Sequence, residues 1–234
     1  MPCDRKDAMC IDIPGGLRDE DFAAGLLEAY FADDPGTGRA RYSGAYFERL
    51  GGGGDRPETA CRFTAEDLVA VSMLSVPISG YHALHVLEYQ AGRLNGLLAQ
   101  VPVGVALADP QAESLIAEDG PAQKLWQAIR DIRPWPGDKR LGSVGAGKLL
   151  ARKRPHLIPV YDSRVKEVLG RPRTDRWWWR DLRCQLIKDQ DLVRELGAVR
   201  ARAGAGQLSL LRTFDIMCWM FGEPGGPGQG RAGM

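Results

Sequence analysis

Apolar residues recur three and four positions apart through almost the whole chain, and that spacing leaves little room for any fold but a helical one. Phe22, Leu26, Leu27 and Tyr30 share one face of a helix predicted over 19–31. Leu84, Leu87, Ala91, Leu94 and Leu98 do the same over 81–100, the longest predicted helix. The strongest stripe is Leu210, Phe214, Met217 and Phe221, over 209–221, which stops at Gly222. Thr64-Ala65-Glu66-Asp67 reads as a capping box with Asp in place of Glu, opening a helix that ends near Pro77. Further helices are expected over 121–132, 177–188 and 191–203. Only 157–161 reads as extended, and so short a run makes no sheet, so the expected fold class is all-α. Residues 1–16 lack periodicity and 223–234 are rich in Gly and Pro; both ends are expected to be disordered around one helical domain, 17–222. Gly51 to Gly54 is expected to form a flexible surface loop.

Several function classes fall away at once. No apolar run is long enough for a membrane span, which needs roughly 18 residues or more. Cysteines stand at 3, 10, 61, 184 and 218, an odd set without CxxC, so reduced thiols in a cytoplasm are expected and no zinc module fits. His82, His85 and Glu88 recur every third position, a step that drifts around a helix, so no metal or cofactor is expected there.

Charge is distributed unevenly. The net charge is +1, but residues 1–137 carry 12 Lys/Arg against 20 Asp/Glu, and residues 138–188 carry 14 against 5. An anionic partner is therefore expected at 138–188. Within that stretch Gly142, four residues, then Gly147-Lys148 match GxxxxGK. Leu149 occupies the position that should hold Mg²⁺, and no buried strand precedes it, so a P-loop is not expected. The alternative is a small-residue hairpin, Gly145-Ala146-Gly147 followed by Ala151, opening a basic helix with Lys148, Arg152, Lys153 and Arg154. Glycines permit a tight turn, and amides at the start of the next helix point outward toward a phosphate oxygen. The plainer reading of Arg152, Lys153 and Arg154 is a solvated face. For Trp177-Trp178-Trp179 it is packing, because three consecutive residues point in three directions on a helix.

Val144-Gly-Ala-Gly-Lys-Leu-Leu-Ala151, continued through Pro159-Val-Tyr-Asp162-Ser-Arg-Val165, resembles the helix–hairpin–helix DNA glycosylase superfamily. The whole chain also resembles an uncharacterised bacterial family with a glycosylase-like fold, through Leu149-Leu-Ala-Arg-Lys-Arg-Pro155 and Ile158-Pro-Val-Tyr-Asp-Ser163. The resemblance implies a helix–hairpin–helix glycosylase-like domain that binds double-stranded DNA. It places Gly145 and Gly147 on phosphate, with Lys148, Arg152, Lys153, Arg154 and Arg164 as basic contacts. Asp162 would be the catalytic carboxylate, stabilising the sugar cation or positioning water as a modified base departs. Leu149 stands where members with lyase activity carry Lys, so the resemblance implies hydrolysis alone or none. Read without the resemblance, Asp162 is an N-cap of the helix after it. A non-catalytic nucleic-acid-binding module and a small-molecule enzyme with an anionic substrate stay open beside the glycosylase reading.

Overall fold

The computed structural model describes residues 11–135, 137–171 and 177–224. Helices follow in the order α1 (Glu20–Phe31), α2 (Ala65–Ser72), α3 (Gly80–Leu84), α4 (Ala91–Leu98), α5 (Ala112–Ile116), α6 (Pro121–Arg130), α7 (Gly142–Lys153), α8 (Ser163–Val168), α9 (Trp178–Lys188), α10 (Gln190–Arg202) and α11 (Leu210–Phe221). A two-residue antiparallel ladder, β1 (Asp33–Asp34) with β2 (Arg39–Ala40), closes the turn between α1 and the next segment. The chain is mostly helical, as its periodicity requires. It divides into two compact units, Met1–Tyr42 with Tyr161–Met234, and Ser43–Val160.

In the first unit α11 packs on α1, α8 and α10. Its side chains from Leu211 to Cys218 are all buried, so it is a central helix and not an amphipathic cover. Each fully buried Leu, Ile, Met or Phe contributes roughly 1.5–3 kcal/mol, so this helix buries more apolar side chain than α1, α9 or α10 beside it. Ser209 caps it by accepting from the Arg212 amide at 3.1 Å, and Asp19 caps α1 by accepting from the Phe22 amide at 3.0 Å. Order begins earlier than the aperiodic first residues suggest: Ile11 and Leu17 are buried, and Gly15–Arg18 form a 3₁₀ turn. The disorder expected at 1–10 and 225–234 lies outside the described residues. Trp178 is buried in this unit and stacks on Tyr161 at 4.4 Å, as the packing reading requires. Cys184 is disulfide-bonded and not the reduced thiol expected, whereas Cys61 and Cys218 are free.

In the second unit α7 packs on α2 and α6, and α6 also packs on α4 and α5. The capping box forms as read: Thr64 Oγ1 accepts from the Asp67 amide at 3.4 Å, and Asp67 Oδ2 accepts from the Thr64 amide at 3.0 Å. The long helix predicted over 81–100 is interrupted. Residues His85–Tyr89 form one π turn, marked by the Gln90 amide donating to the His85 carbonyl five residues back at 2.9 Å. Gly54 is buried, contrary to a flexible loop: a Cβ there would lie 2.3 Å from the Arg152 carbonyl oxygen. Residues 157–161 form no strand; Leu157, Ile158 and Val160 are buried in irregular chain.

Candidate functional site

The glycine pair expected to make a hairpin is helical. Gly145 and Gly147 lie inside α7, and the change of direction comes earlier, at Gly137 (φ +95°) and Gly142 (φ +79°). A Cβ on Gly145 would stand 3.0 Å from Leu141 Cγ and 3.4 Å from Val76 Cγ1, so this glycine serves close packing. Gly147 faces Trp126, whose indole Nε1 donates to the Ser143 carbonyl at 3.3 Å.

The basic run after it is buried, which corrects both its reading as a phosphate contact and its reading as a solvated face. Lys148 donates from Nζ to the Leu74 carbonyl at 2.8 Å, in a turn where Ser75 holds φ +62°. Arg152 donates to Asp67 Oδ1 at 3.3 Å and to the carbonyls of Phe47, Glu48 and Leu50. Lys153, with no exposed surface, donates to Asp67 Oδ2 at 2.8 Å and to the Thr59 carbonyl at 2.9 Å. Arg154 spreads its guanidinium over the carbonyls of Val101 (2.6 Å), Ala60 (2.9 Å), Lys153 (2.7 Å) and Leu98 (3.0 Å). These cations occupy the C-terminal end of α7, where the helix dipole favours positive charge, and they donate to loop and helix-end carbonyls, of which Leu50, Thr59 and Leu98 also accept a backbone amide. Burial pushes the pKa of Arg152, Lys153 and Arg154 below their ordinary values; the Asp67 carboxylate opposes that for Arg152 and Lys153.

Asp162 belongs to the first unit and caps α8: Oδ1 accepts from the Arg164 amide at 3.1 Å and the Val165 amide at 3.3 Å. Arg164 is half-buried, lies 4.1 Å over the Trp219 ring and pairs with Glu223. Trp219 meets Tyr42, which stacks on Tyr30, whose hydroxyl accepts from Arg212 Nη2 at 2.9 Å. Arg212 also pairs with buried Asp215. Cys218 sits within the influence of these carboxylates; burial first, then the charges of Asp215 and Asp162, push its thiol pKa well up. An inert, neutral thiol results.

A surface of which the sequence singles out only His82, His85 and Glu88, as a spacing unsuited to a metal, lies in the second unit. Tyr81 (51% exposed) meets Trp135 (57% exposed) edge to face at 5.9 Å, and His85 meets Tyr89 (67% exposed) in the same way at 5.2 Å. The α6–α7 loop that carries Trp135 also carries Arg133, Lys139 and Arg140, all exposed. It is pinned by the His82 Nε2–H donating to the Lys139 carbonyl at 3.1 Å and by the Leu141 amide donating to the Ile132 carbonyl at 3.0 Å. With Nε2 the donor, His82 Nδ1 accepts from the Ser79 hydroxyl at 2.8 Å, so both ring nitrogens are committed. Among the described residues no group of three His, Cys, Asp or Glu is placed to hold a metal. Arg140 pairs with Asp131 at 2.9 Å; the Arg130 guanidinium, followed by Arg140, holds that carboxyl below its ordinary range. The amides at the start of α7 receive no side-chain cap. Beside this loop an open groove of about 540 Å³ is lined by Gln90, Arg93, Lys124, Gln127 and Asp131 among others.

Among the described residues no helix is long and apolar enough to cross a membrane. No curated protein and no solved structure matches the chain significantly. Residues 23–222 match the model of a family described as a family of unknown function, DUF6308. That match takes in every helix from α2 to α11 and most of α1, and the chain therefore belongs to the DUF6308 family.

Proposed function

We propose that this protein binds DNA through its second unit, holding the phosphate backbone at the α6–α7 loop and not along the basic run that follows. The observation that carries this reading is the pinned loop itself. Arg133, Lys139 and Arg140 are exposed on a segment fixed at both ends, and it leads into a helix whose first amides lack a side-chain cap. Cations beside a helix N-terminus are a phosphate-binding arrangement, and a fixed loop spends little entropy on binding. The resemblance to the glycosylase superfamily puts the hairpin at Gly145–Gly147, which are helical here, so the DNA reading rests on the cations of the loop before α7.

Hydrolysis of an N-glycosidic bond is the further step that the resemblance implies. Asp162 Oδ1 caps α8 by accepting from the Arg164 and Val165 amides, a role compatible with catalysis because a carboxylate has a second oxygen. Binding is the part of the proposal that the loop supports, and hydrolysis rests on the resemblance alone. A second reading, a small anionic ligand in the α4–α6 groove, is favoured by Arg93 and Lys124 on its wall.

Fluorescence anisotropy with a labelled duplex at low salt tests the proposal. The Lys139→Glu/Arg140→Glu variant is expected to lose at least about tenfold in affinity, since reversing two phosphate contacts removes both attractions and adds repulsion. Unchanged affinity in a variant that melts like the wild type contradicts it. Release of a free base by the wild type but not by Asp162→Asn would restore the catalytic role.

A further inference from the structure

We infer that Tyr81, His85, Tyr89 and Trp135 form a shelf for unpaired nucleobases, so that the chain takes single-stranded nucleic acid in preference to duplex. This inference rests on the nucleic-acid reading above and names the form of the partner.

Tyr81, Tyr89 and Trp135 are exposed and His85 is half-buried, and large rings shown to solvent in neighbouring pairs mark an interaction site. The stripe is built by the backbone. On a continuous α-helix, residues four apart drift by about 40°, so Tyr81 and Tyr89 would diverge. The π turn at His85–Tyr89 admits one extra residue per turn and brings Tyr89 back toward the line of Tyr81 and His85. Edge-to-face pairing leaves ring faces open in both pairs, at 77° for Tyr81–Trp135 and 88° for His85–Tyr89. Open aromatic faces stack bases of any identity.

The charge beside the shelf selects the partner. Trp135 rides on the loop that carries Arg133, Lys139 and Arg140, and the His82 bond to the Lys139 carbonyl fixes that loop beside Tyr81. Asp131 and Asp138 share the loop, and Glu88 is exposed on the π turn; the Arg130 guanidinium holds both oxygens of Asp131, at 3.0 and 2.7 Å, so that carboxylate is neutralised without Arg140. The remaining cations stand next to the rings, the combination of stacking platform and backbone contact that single strands require. A duplex keeps its bases stacked internally and offers the rings nothing but its edge.

The test uses the full chain with two probes, a labelled oligothymidylate and the same strand annealed to oligoadenylate, read by anisotropy. The single strand is expected to bind about tenfold more tightly. Trp135→Ala and Tyr81→Ala are each expected to cost about tenfold on the single strand and less than about twofold on the duplex, with Trp135→Phe restoring most of the loss. Equal affinity for both probes, or single-strand affinity unmoved by Trp135→Ala, overturns the shelf while leaving the loop in place. Failure of both probes to bind the wild type removes the nucleic-acid reading as a whole. Self-association that Trp135→Ala abolishes would assign the shelf to a second copy of the chain and also overturn the inference.

Discussion

Asp67 is the carboxylate on which the buried cations Arg152 and Lys153 both converge. Removing one partner of a buried ion pair leaves a charge without compensation, which costs about 3–5 kcal/mol. Asp67→Asn is expected to destabilise the protein by that amount in chemical denaturation, and Lys153→Met by less, because methionine fills the space and leaves no naked charge. Arg154 makes a different prediction. Its guanidinium serves four carbonyls in a planar fork that an ammonium cannot reproduce, so Arg154→Lys is expected to cost about 2 kcal/mol despite keeping the charge. A cost near zero in the same denaturation measurement would show that these carbonyls find other donors. These roles are hidden in the sequence. Arg-Lys-Arg announces charge, but whether it faces phosphate or buried carbonyls depends on where the 47–62 loop and the 98–101 turn run, and no local pattern encodes that.

Elements were legible where caps and periodicity coincide. Asp19, Thr64 with Asp67, and Ser209 mark helix starts that the chain obeys to within a residue. Asp189 is another such cap, on α10, and it also pairs with Arg18. The Arg18 hydrogen bond, more than any other influence, holds its carboxyl below the ordinary range. A depressed carboxylate adds stability above its unfolded pKa and loses it as pH falls through the folded value. Asp189→Asn keeps the cap but removes the charge. It is expected to melt earlier than wild type at neutral pH, by a difference worth about 0.5–1 kcal/mol, with the gap closing below about pH 4. A gap that persists in acid would place the loss elsewhere. The π turn was not legible: Leu84, Leu87, Ala91, Leu94 and Leu98 read as one uninterrupted stripe, and the extra residue changes no residue type. The hairpin is half legible: Lys139 and Arg140 fall in the basic 138–188 segment, but Arg133 and Trp135 lie before it, and the glycines that suggest a turn, Gly145 and Gly147, instead let helices approach.

For the whole molecule, the charge asymmetry read from the sequence overstates the surface. Of the cations in 138–188, Lys148, Arg152, Lys153, Arg154, Arg171 and Arg183 are buried. Arg171 pairs with Asp181 inside the first unit. What remains at the α6–α7 loop is Arg133, Lys139 and Arg140, a small cationic surface beside exposed rings. Such a surface binds with modest electrostatic character, unlike a protein that lays a long basic face on DNA. The central claim, that phosphate meets this loop and not the buried run, is therefore a claim about how many counterions are released. Each neutralised phosphate contributes about −0.9 to the slope of log affinity against log salt on duplex DNA. The deciding measurement is that slope for the wild-type chain on a labelled duplex. The loop predicts a value of roughly −3, falling toward roughly −1 in Lys139→Glu/Arg140→Glu. A slope of roughly −6 or steeper would require the run from Lys148 to Arg154 to reach phosphate, and would contradict the account.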